Sequence, residues 1–326
     1  MAITTGVVTV ADLIRQIRSE SDMQYSGFLS DLELATYINN SSKELYDLLI
    51  GAYGEDYYLA RPANFHTDNI RDKFLLPDGV TTFYDDFGNP FVPPPFYKLT
   101  GVDLQLGATP QSYVTLKTFA FGARNQFSVP NFASFYGFTN IRYRIYGSSP
   151  QLLWLTPVPA AGLTIRIWYA PRAPNIVSSF VSTGVINTNT ITTADLLTPQ
   201  VGQNIFGYGI PANTTITAIP TPGTLTISNT LTAGFTNYVL QVFSYTQTID
   251  CFSGWEEFIV VDCAIKALGK EESDVTVLGL RKDALVKRIE GIAANRDEGS
   301  PGKTVDVLGN YLWGDGSSNG DGYGNY

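Results

Sequence analysis

Residues 141–169 read IRYRIYGSSPQLLWLTPVPAAGLTIRIWY, and their pattern decides the middle of the fold. Ile141-Arg142-Tyr143-Arg144-Ile145-Tyr146 alternates with a period of two, and so does Leu163-Thr164-Ile165-Arg166-Ile167-Trp168-Tyr169. Successive side chains of a strand point to opposite faces, so the alternation predicts half-buried antiparallel strands. Gln151-Leu152-Leu153-Trp154-Leu155 supplies a third strand between them. Hairpin turns are expected at Gly147-Ser148-Ser149 and at Pro159-Ala160-Ala161-Gly162.

The same texture extends over about 57–172. Phe74-Leu75-Leu76 stops at Pro77-Asp78-Gly79, and Val102-Asp103-Leu104-Gln105-Leu106 stops at Gly107. Pro93-Pro94-Pro95 predicts an extended loop. Downstream, 173–249 holds a single charged residue, Asp195, among many Thr, Gly and Asn. Ile205, Ile210, Ile216, Ile219, Leu225, Ile227 and Val239 are spaced as short strands, which predicts a separate β-module. Its uncharged edges would be unprotected, which is tolerable if the module packs on neighbours in an assembly.

Helical spacing flanks this β-rich centre. Val10, Leu13, Ile14 and Ile17 form one stripe over 9–20. Ser30-Asp31-Leu32-Glu33 reads as a capping box, Ser30 accepting from the Glu33 amide and Glu33 reaching back. It predicts one helix over 31–53, ending at Gly54, with Leu34, Ile38, Leu45, Leu49 and Ala52 on its apolar face. Near the other end, Trp255, Phe258, Ile259, Ile265 and Leu268 mark one helix, and Leu278, Leu285, Ile289 and Ile292 a second. Ser273 or Asp274 is placed to cap the second. Beyond 299 the chain is Gly, Ser, Asn and Asp around Tyr311, Leu312, Trp313, Tyr323 and Tyr326, which is read as a docking arm.

The expected class is therefore α+β. A helical bundle forms from the N-terminal hairpin (1–56) and the C-terminal helices (250–298). An antiparallel β-region (57–172) lies between them, with an inserted all-β module (173–249) and a Gly-rich arm (299–326).

Composition narrows the function. Of 326 residues only 16% are charged, against a usual ~25%, and 13% are aromatic, which excludes a disordered chain. The net charge of −9 argues against binding nucleic acid by neutralising phosphates. No run approaches the ~20 apolar residues of a membrane span, and the first residues lack the basic and apolar parts of a secretory leader. Two Cys and one His exclude a disulfide framework and multi-His metal centres.

Motifs for catalysis are wanting. No P-loop, G-x-S-x-G or H-E-x-x-H sequence occurs. Gly207-Tyr208-Gly209-Ile210-Pro211-Ala212 matches a dinucleotide fingerprint in letters only and is read as a turn. His66 lies in Asn64-Phe65-His66-Thr67-Asp68, read as a polar loop with Asp68 near it, but no nucleophile is marked. The pairs Glu55-Asp56, Asp85-Asp86, Glu256-Glu257 and Glu271-Glu272 are sequence neighbours, not carboxylates facing across a cleft. Asp315, Asn319 and Asp321 fail the EF-hand spacing. Cys251 and Cys263 are read as packing residues, and Phe119-Ala120-Phe121 and Phe132 to Phe138 as core or subunit interface. No catalytic residue, cofactor or metal ligand is assigned.

A resemblance organises these pieces. Asp12-Leu13-Ile14, Phe28 through Leu34, Tyr37-Ile38-Asn39 and Glu44 through Leu49 resemble the N-terminal helices of tailed-bacteriophage head-to-tail connector proteins. Tyr143 through Gly147, Trp154-Leu155-Thr156-Pro157-Val158-Pro159 and Ile165 to Tyr169 resemble the β-hairpin region of the adaptor, or tail tubular protein A, of short-tailed phages. Trp255 through Val260, then Ala264, Ala267 and Lys270-Glu271-Glu272, resemble its C-terminal helices. The module at 173–249 departs from the compact family pattern.

The resemblance implies a non-enzymatic virion protein at the neck, assembled in the host cytoplasm. It implies a twelve-subunit ring beneath the portal protein, with tail nozzle or tail-tube proteins on its β-part and the arm at Leu308 to Tyr326 docked on the portal. Subunits are expected to pack through helices bearing Leu45, Leu49, Trp255, Phe258, Leu285 and Ile289. Double-stranded DNA would pass without specific binding, which suits an acidic chain. No membrane partner is expected. The rival class is a carbohydrate- or host-binding tail or decoration protein acting through 173–249; a glycan hydrolase would need an acid pair that the sequence does not display.

Overall fold

The computed structural model describes residues 8–24, 27–54, 58–106, 112–126, 141–148, 150–195, 199–249 and 254–294. The arm at 299–326, with Tyr311, Leu312, Trp313, Tyr323 and Tyr326, lies outside the described residues, as do Cys251 and Phe132 to Phe138.

Helix α1 (Val10–Glu20) starts at a capping box in which Thr9 accepts from the Asp12 amide and Asp12 accepts from Thr9. Its free N–H groups at Val10 and Ala11 donate to the carbonyls of Gln247 and Tyr245, 3.0 Å each. Helix α2 (Asp31–Tyr53) starts at Ser30, whose hydroxyl accepts from the Glu33 amide at 3.2 Å. Glu33 does not reach back. It accepts from Tyr37 Oη (3.1 Å) and Lys270 Nζ (2.5 Å), so the expected reciprocal box is a single cap. Gly54, at φ 89°, ends the helix. Helices α3 (Glu256–Lys270) and α4 (Thr276–Ala294) follow the β-rich part, and Asp274 caps α4 by accepting from the Thr276 amide at 2.9 Å.

The expected helical bundle is not what the chain builds. Among the described residues, sixteen strands in three sheets stand against these four α-helices, so the fold is mainly β. The helical core is not closed by helices alone. Ala170, Ile176, Phe243 and Ile249, from strands and their connections, are buried in it beside Leu13, Leu45 and Phe258. The four helices form a layer laid against sheet ends, and the strand signals outnumber the helical ones.

Two sheets make a sandwich. The first runs β4 (Pro90–Phe91), β3 (Phe83–Tyr84), β1 (Ala63–His66), β10 (Thr164–Pro171), β5 (Phe96–Gln105) and β6 (Tyr113–Thr115). The second runs β2 (Lys73–Leu75), β9 (Leu152–Thr156), β8 (Arg142–Tyr146) and β7 (Lys117–Thr118). Their inner faces share one core, with Val102, Leu104, Ile165 and Ile167 from the first sheet and Phe74, Leu153 and Leu155 from the second. Strands β8 and β9 form the expected hairpin. The hairpin expected at Pro159 to Gly162 does not form, because β9 and β10 lie in different sheets. Period-two alternation names the inward side chains of a strand but not its neighbour.

The third sheet orders β13 (Asn204–Phe206), β16 (Phe235–Phe243), β11 (Ser178–Gly184), β12 (Thr190–Thr193), β15 (Thr224–Ile227) and β14 (Ile216–Thr221). It curls until its edge strands meet. Ile205 N donates to Thr214 O (3.0 Å), Ile216 N to Gln203 O (2.9 Å) and Gly202 N to Ile216 O (2.9 Å). Closure satisfies the edges internally, so the unprotected edges expected of this module are absent between these two strands. Phe180, Ile191, Leu225, Leu240 and Val242 fill the interior, whereas Ile219 and Val239 point outward and are exposed. Gly207 and Gly209 occupy turns at positive φ, with no helix after them.

Gly184 faces a tightly packed part of the barrel interior. A Cβ there would sit 2.5 Å from Leu231 Cδ1 and 2.8 Å from Phe235 Cζ. Gly184→Ala is therefore expected to destabilise the protein by about 1–3 kcal/mol in urea denaturation. An unchanged midpoint would show that the interior has room to spare.

Candidate functional site

The helical layer is organised around a buried polar node. Helix α2 turns Ser41 inward (0% exposed), and α3 turns Asp262 toward it (3% exposed). Asp262 accepts from Ser41 Oγ, from Lys266 Nζ at 2.5 Å and, from α4, from Lys282 Nζ at 2.8 Å. Lys282 also donates to Glu44 at 2.6 Å, and Lys266 to Ser41 Oγ at 2.9 Å. Burial pushes the Asp262 carboxyl up, but the hydrogen bonds from Lys266, Lys282 and Ser41 together hold it below its ordinary value. Burial acts against the charge on Lys282, and its bonds to Asp262 and Glu44 outweigh that and raise its pKa. A Ser beside a Lys invites comparison with a nucleophile and its base. Ser41 is fully buried, and the bonds of the node join α2 to α3 and α4. Burial pushes the neighbouring Cys263 thiol up to about 12, which keeps it protonated and inert.

Other sequence candidates resolve into local structure. His66 ends strand β1 instead of lying in a loop, with Thr164 Oγ1 3.3 Å from its Nδ1 and the Tyr84 ring 5.6 Å away. Asp68 does not face it. Asp68 accepts from the Ile70 and Arg71 amides and the Arg71 side chain, and these bonds hold its carboxyl down at about 2. Asp85 is buried in a turn, bonded to Phe87, Asn89 and Arg61, while Asp86 accepts from Arg166 at 2.6 Å. Glu257 pairs with Arg281 at 2.8 Å. These carboxylates anchor loops and helices. Among the described residues no group of three or more His, Cys, Asp or Glu could hold a metal ion, and no helix is long and apolar enough to cross a membrane.

Two surfaces of the helical layer remain open. Leu45, Leu49, Phe258, Leu285 and Ile289 are buried inside the chain's own core, with Trp255 partly buried beside Arg288. A second subunit would touch other residues of these helices. On α4, Val277 is 76% exposed and Leu280 67%, with Ala284 exposed one turn further on. On another side of α4 a groove of about 450 Å³ runs between α2 and α4, floored by Leu48, Ala52, Val286 and Ile289 and rimmed by Glu44 and Glu290. The sequence stripe through α4 captured its inner face but also included Ile292, which is 44% exposed. The signal for Val277 and Leu280 was there in their i, i+3 spacing on the opposite side.

A cleft of about 930 Å³ opens where the layer, the sandwich and the segment leading into the barrel meet. Tyr97 Oη donates to Asp47 at 2.6 Å across it, Tyr46 Oη to Pro171 O at 2.5 Å and Arg172 Nε to Phe96 O at 3.0 Å. These bonds tie α2 to β5 and to the end of β10. No protein-family model matches the chain, and no curated protein matches it.

The node sets an acid limit on stability. The folded Asp262 carboxyl titrates below its ordinary 3.8, so its contribution is complete above that pH and is lost as pH falls through the folded value. Asp262→Asn is expected to cost about 1–3 kcal/mol at pH 7 and to flatten the loss of stability below pH 4. Denaturation midpoints measured from pH 3 to pH 7 check this; a variant with the parental midpoint and acid limb would contradict it.

Proposed function

We propose that this chain is a structural head-to-tail adaptor of a tailed-phage virion, forming a homo-oligomeric ring of about twelve copies between the portal and the tail. The reading rests on the resemblance of the helical and hairpin segments described above and on one structural observation. Helix α4 is apolar on two faces: Leu285 and Ile289 are buried, and among the described residues nothing covers Val277 and Leu280. A helix apolar on two faces is one that is covered on both. In a ring, a neighbouring copy supplies the second cover through a head-to-tail contact that closes by rotation. The arm at 299–326 would then meet the portal, and DNA would pass through an acidic or neutral channel.

The rival reading, a carbohydrate- or host-binding protein acting through 173–249, has one observation in its favour. Tyr208 and Tyr238 stand exposed on the barrel with ring centroids 5.9 Å apart. Retention of the full chain on a glycan array, lost on Tyr208→Ala, would favour it over the adaptor.

The double variant Val277→Asp/Leu280→Asp tests the ring. Both side chains are exposed, so its thermal midpoint is expected to stay within a few degrees of the parent. Its co-sedimentation with portal rings is expected to fall at least tenfold. Undiminished assembly would sink the role given to this face.

A further inference from the structure

We infer that the outward face of the sheet β2-β9-β8-β7 is a binding surface for single-stranded nucleic acid. Bases would stack on Tyr146, Phe121 and Trp154, and phosphates would pair with Lys117, Arg124 and Arg144.

The face is assembled from segments far apart in sequence. Trp154 on β9 lies between Lys73 of β2 and Arg144 of β8, its partners in register. Tyr146 follows Arg144 on the same face, and Lys117 is aligned with Arg142 across the parallel β7–β8 pair. The turn Phe121–Gln126 brings Phe121 over the sheet, its ring centroid 6.2 Å from that of Trp154; Tyr146 lies 5.9 Å from Trp154 on another side. Tyr146 is 46% exposed and Phe121 49%. Cations border every ring. Lys73 Nζ is 5.2 Å from the Trp154 centroid and 5.5 Å from that of Tyr146, and Arg124 and Arg144 lie 4.5 and 5.6 Å from that of Phe121. A hollow of about 240 Å³ opens beside Trp154, Arg124 and Asn125, with Asp72 and Thr156 also on its wall.

The charge of this face opposes that of the chain. Asp72 is engaged by Lys73 at 3.1 Å, while among the described residues Lys117, Arg124 and Arg144 have no carboxylate partner. The other sheet of the sandwich behaves differently, pairing Arg166 with Asp86 and Arg61 with Asp85. A net charge of −9 is a sum, and it conceals a local positive field.

The chemistry selects the ligand. The charged side chains left open here donate hydrogen bonds and present no acceptor. The carboxylate at the hollow, Asp72, is already held by Lys73, so a neutral sugar, whose hydroxyls need acceptors, is poorly matched. Phosphates accept only, and unpaired bases bring π-faces to exposed rings flanked by cations. A duplex keeps its bases stacked inside and could not use the rings. The inference stands apart from the adaptor reading, and either can fail without the other.

Fluorescence anisotropy with labelled oligo(dT), longer than the ~4–16 nucleotides such sites cover, tests it on the full chain. The expected result is saturable binding at about 50 mM salt, weakening with salt at a log–log slope of about −0.7 per phosphate contact. Tyr146→Ala and Phe121→Ala should each weaken binding about fivefold or more at an unchanged slope. Arg144→Ala and Lys117→Ala should each reduce the slope by about 0.7. Tyr84→Ala, on the opposite sheet, should bind as the parent does. The inference is overturned by absence of saturable binding, or by aromatic variants that bind like the parent. Competition by polygalacturonate as effective as by unlabelled oligo(dT) would also overturn it, and would mark an acidic-glycan site.

Discussion

Asp262 is 3% exposed and charged, and it is tolerated because three helices bring it donors. An isolated buried carboxylate would cost several kcal/mol, so α2, α3 and α4 can approach only in a geometry that places Ser41, Lys266 and Lys282 around it. Apolar contacts between helices slide; this node does not. It fixes the register of the layer, and the layer in turn fixes the chain's two β-parts. Residues 245–247 cap α1, Tyr245 donates to Asp31 at 2.8 Å, and Tyr46 and Tyr97 bind α2 to the sandwich. The Lys266 and Lys282 side chains stay 31% and 23% exposed, which lowers the desolvation cost of the node.

Around that fixed point, charge is sorted by element. The helical layer carries paired acids and bases, among them Arg281 with Glu20 and Glu257, and Lys270 with Glu33. The barrel does almost without charge and secures its edges by joining them. The sandwich is two-sided, with cations neutralised on one sheet and left open on the other. A protein that passes or holds a polyanion needs this kind of separation, since a uniformly acidic surface repels phosphates and a uniformly basic one holds them indiscriminately.

Local signals were legible in the sequence. Ser30 before an apolar period placed α2, and Gly54 ended it, because caps and periodicity act within one turn. The alternation at 141–146 and 163–169 found β8 and β10 for the same reason. What required the fold was everything non-local. Leu155 and Ile165 share one core from two different sheets instead of lying side by side in one, and no alternation states that. The meeting of Gln203 with Ile216 closes the barrel through residues thirteen positions apart. Glu33 was assigned to its own helix cap and instead serves Lys270 of α3. The basic face escaped detection because Lys73, Lys117, Arg124 and Arg144 come from separate segments, and only strand pairing shows them on one side. The buried helical residues Leu45, Leu49, Phe258, Leu285 and Ile289 were recognisable as an apolar stripe, but a stripe does not say whether its cover is the same chain or another.

The central functional claim is a place in a particle. Electron microscopy of purified virions, with an antibody against the full chain, tests it most directly. The result expected is label, and ring-shaped density large enough for about twelve copies, at the head-to-tail junction. Label on the capsid surface, on the tail tip or nowhere on the particle would contradict it.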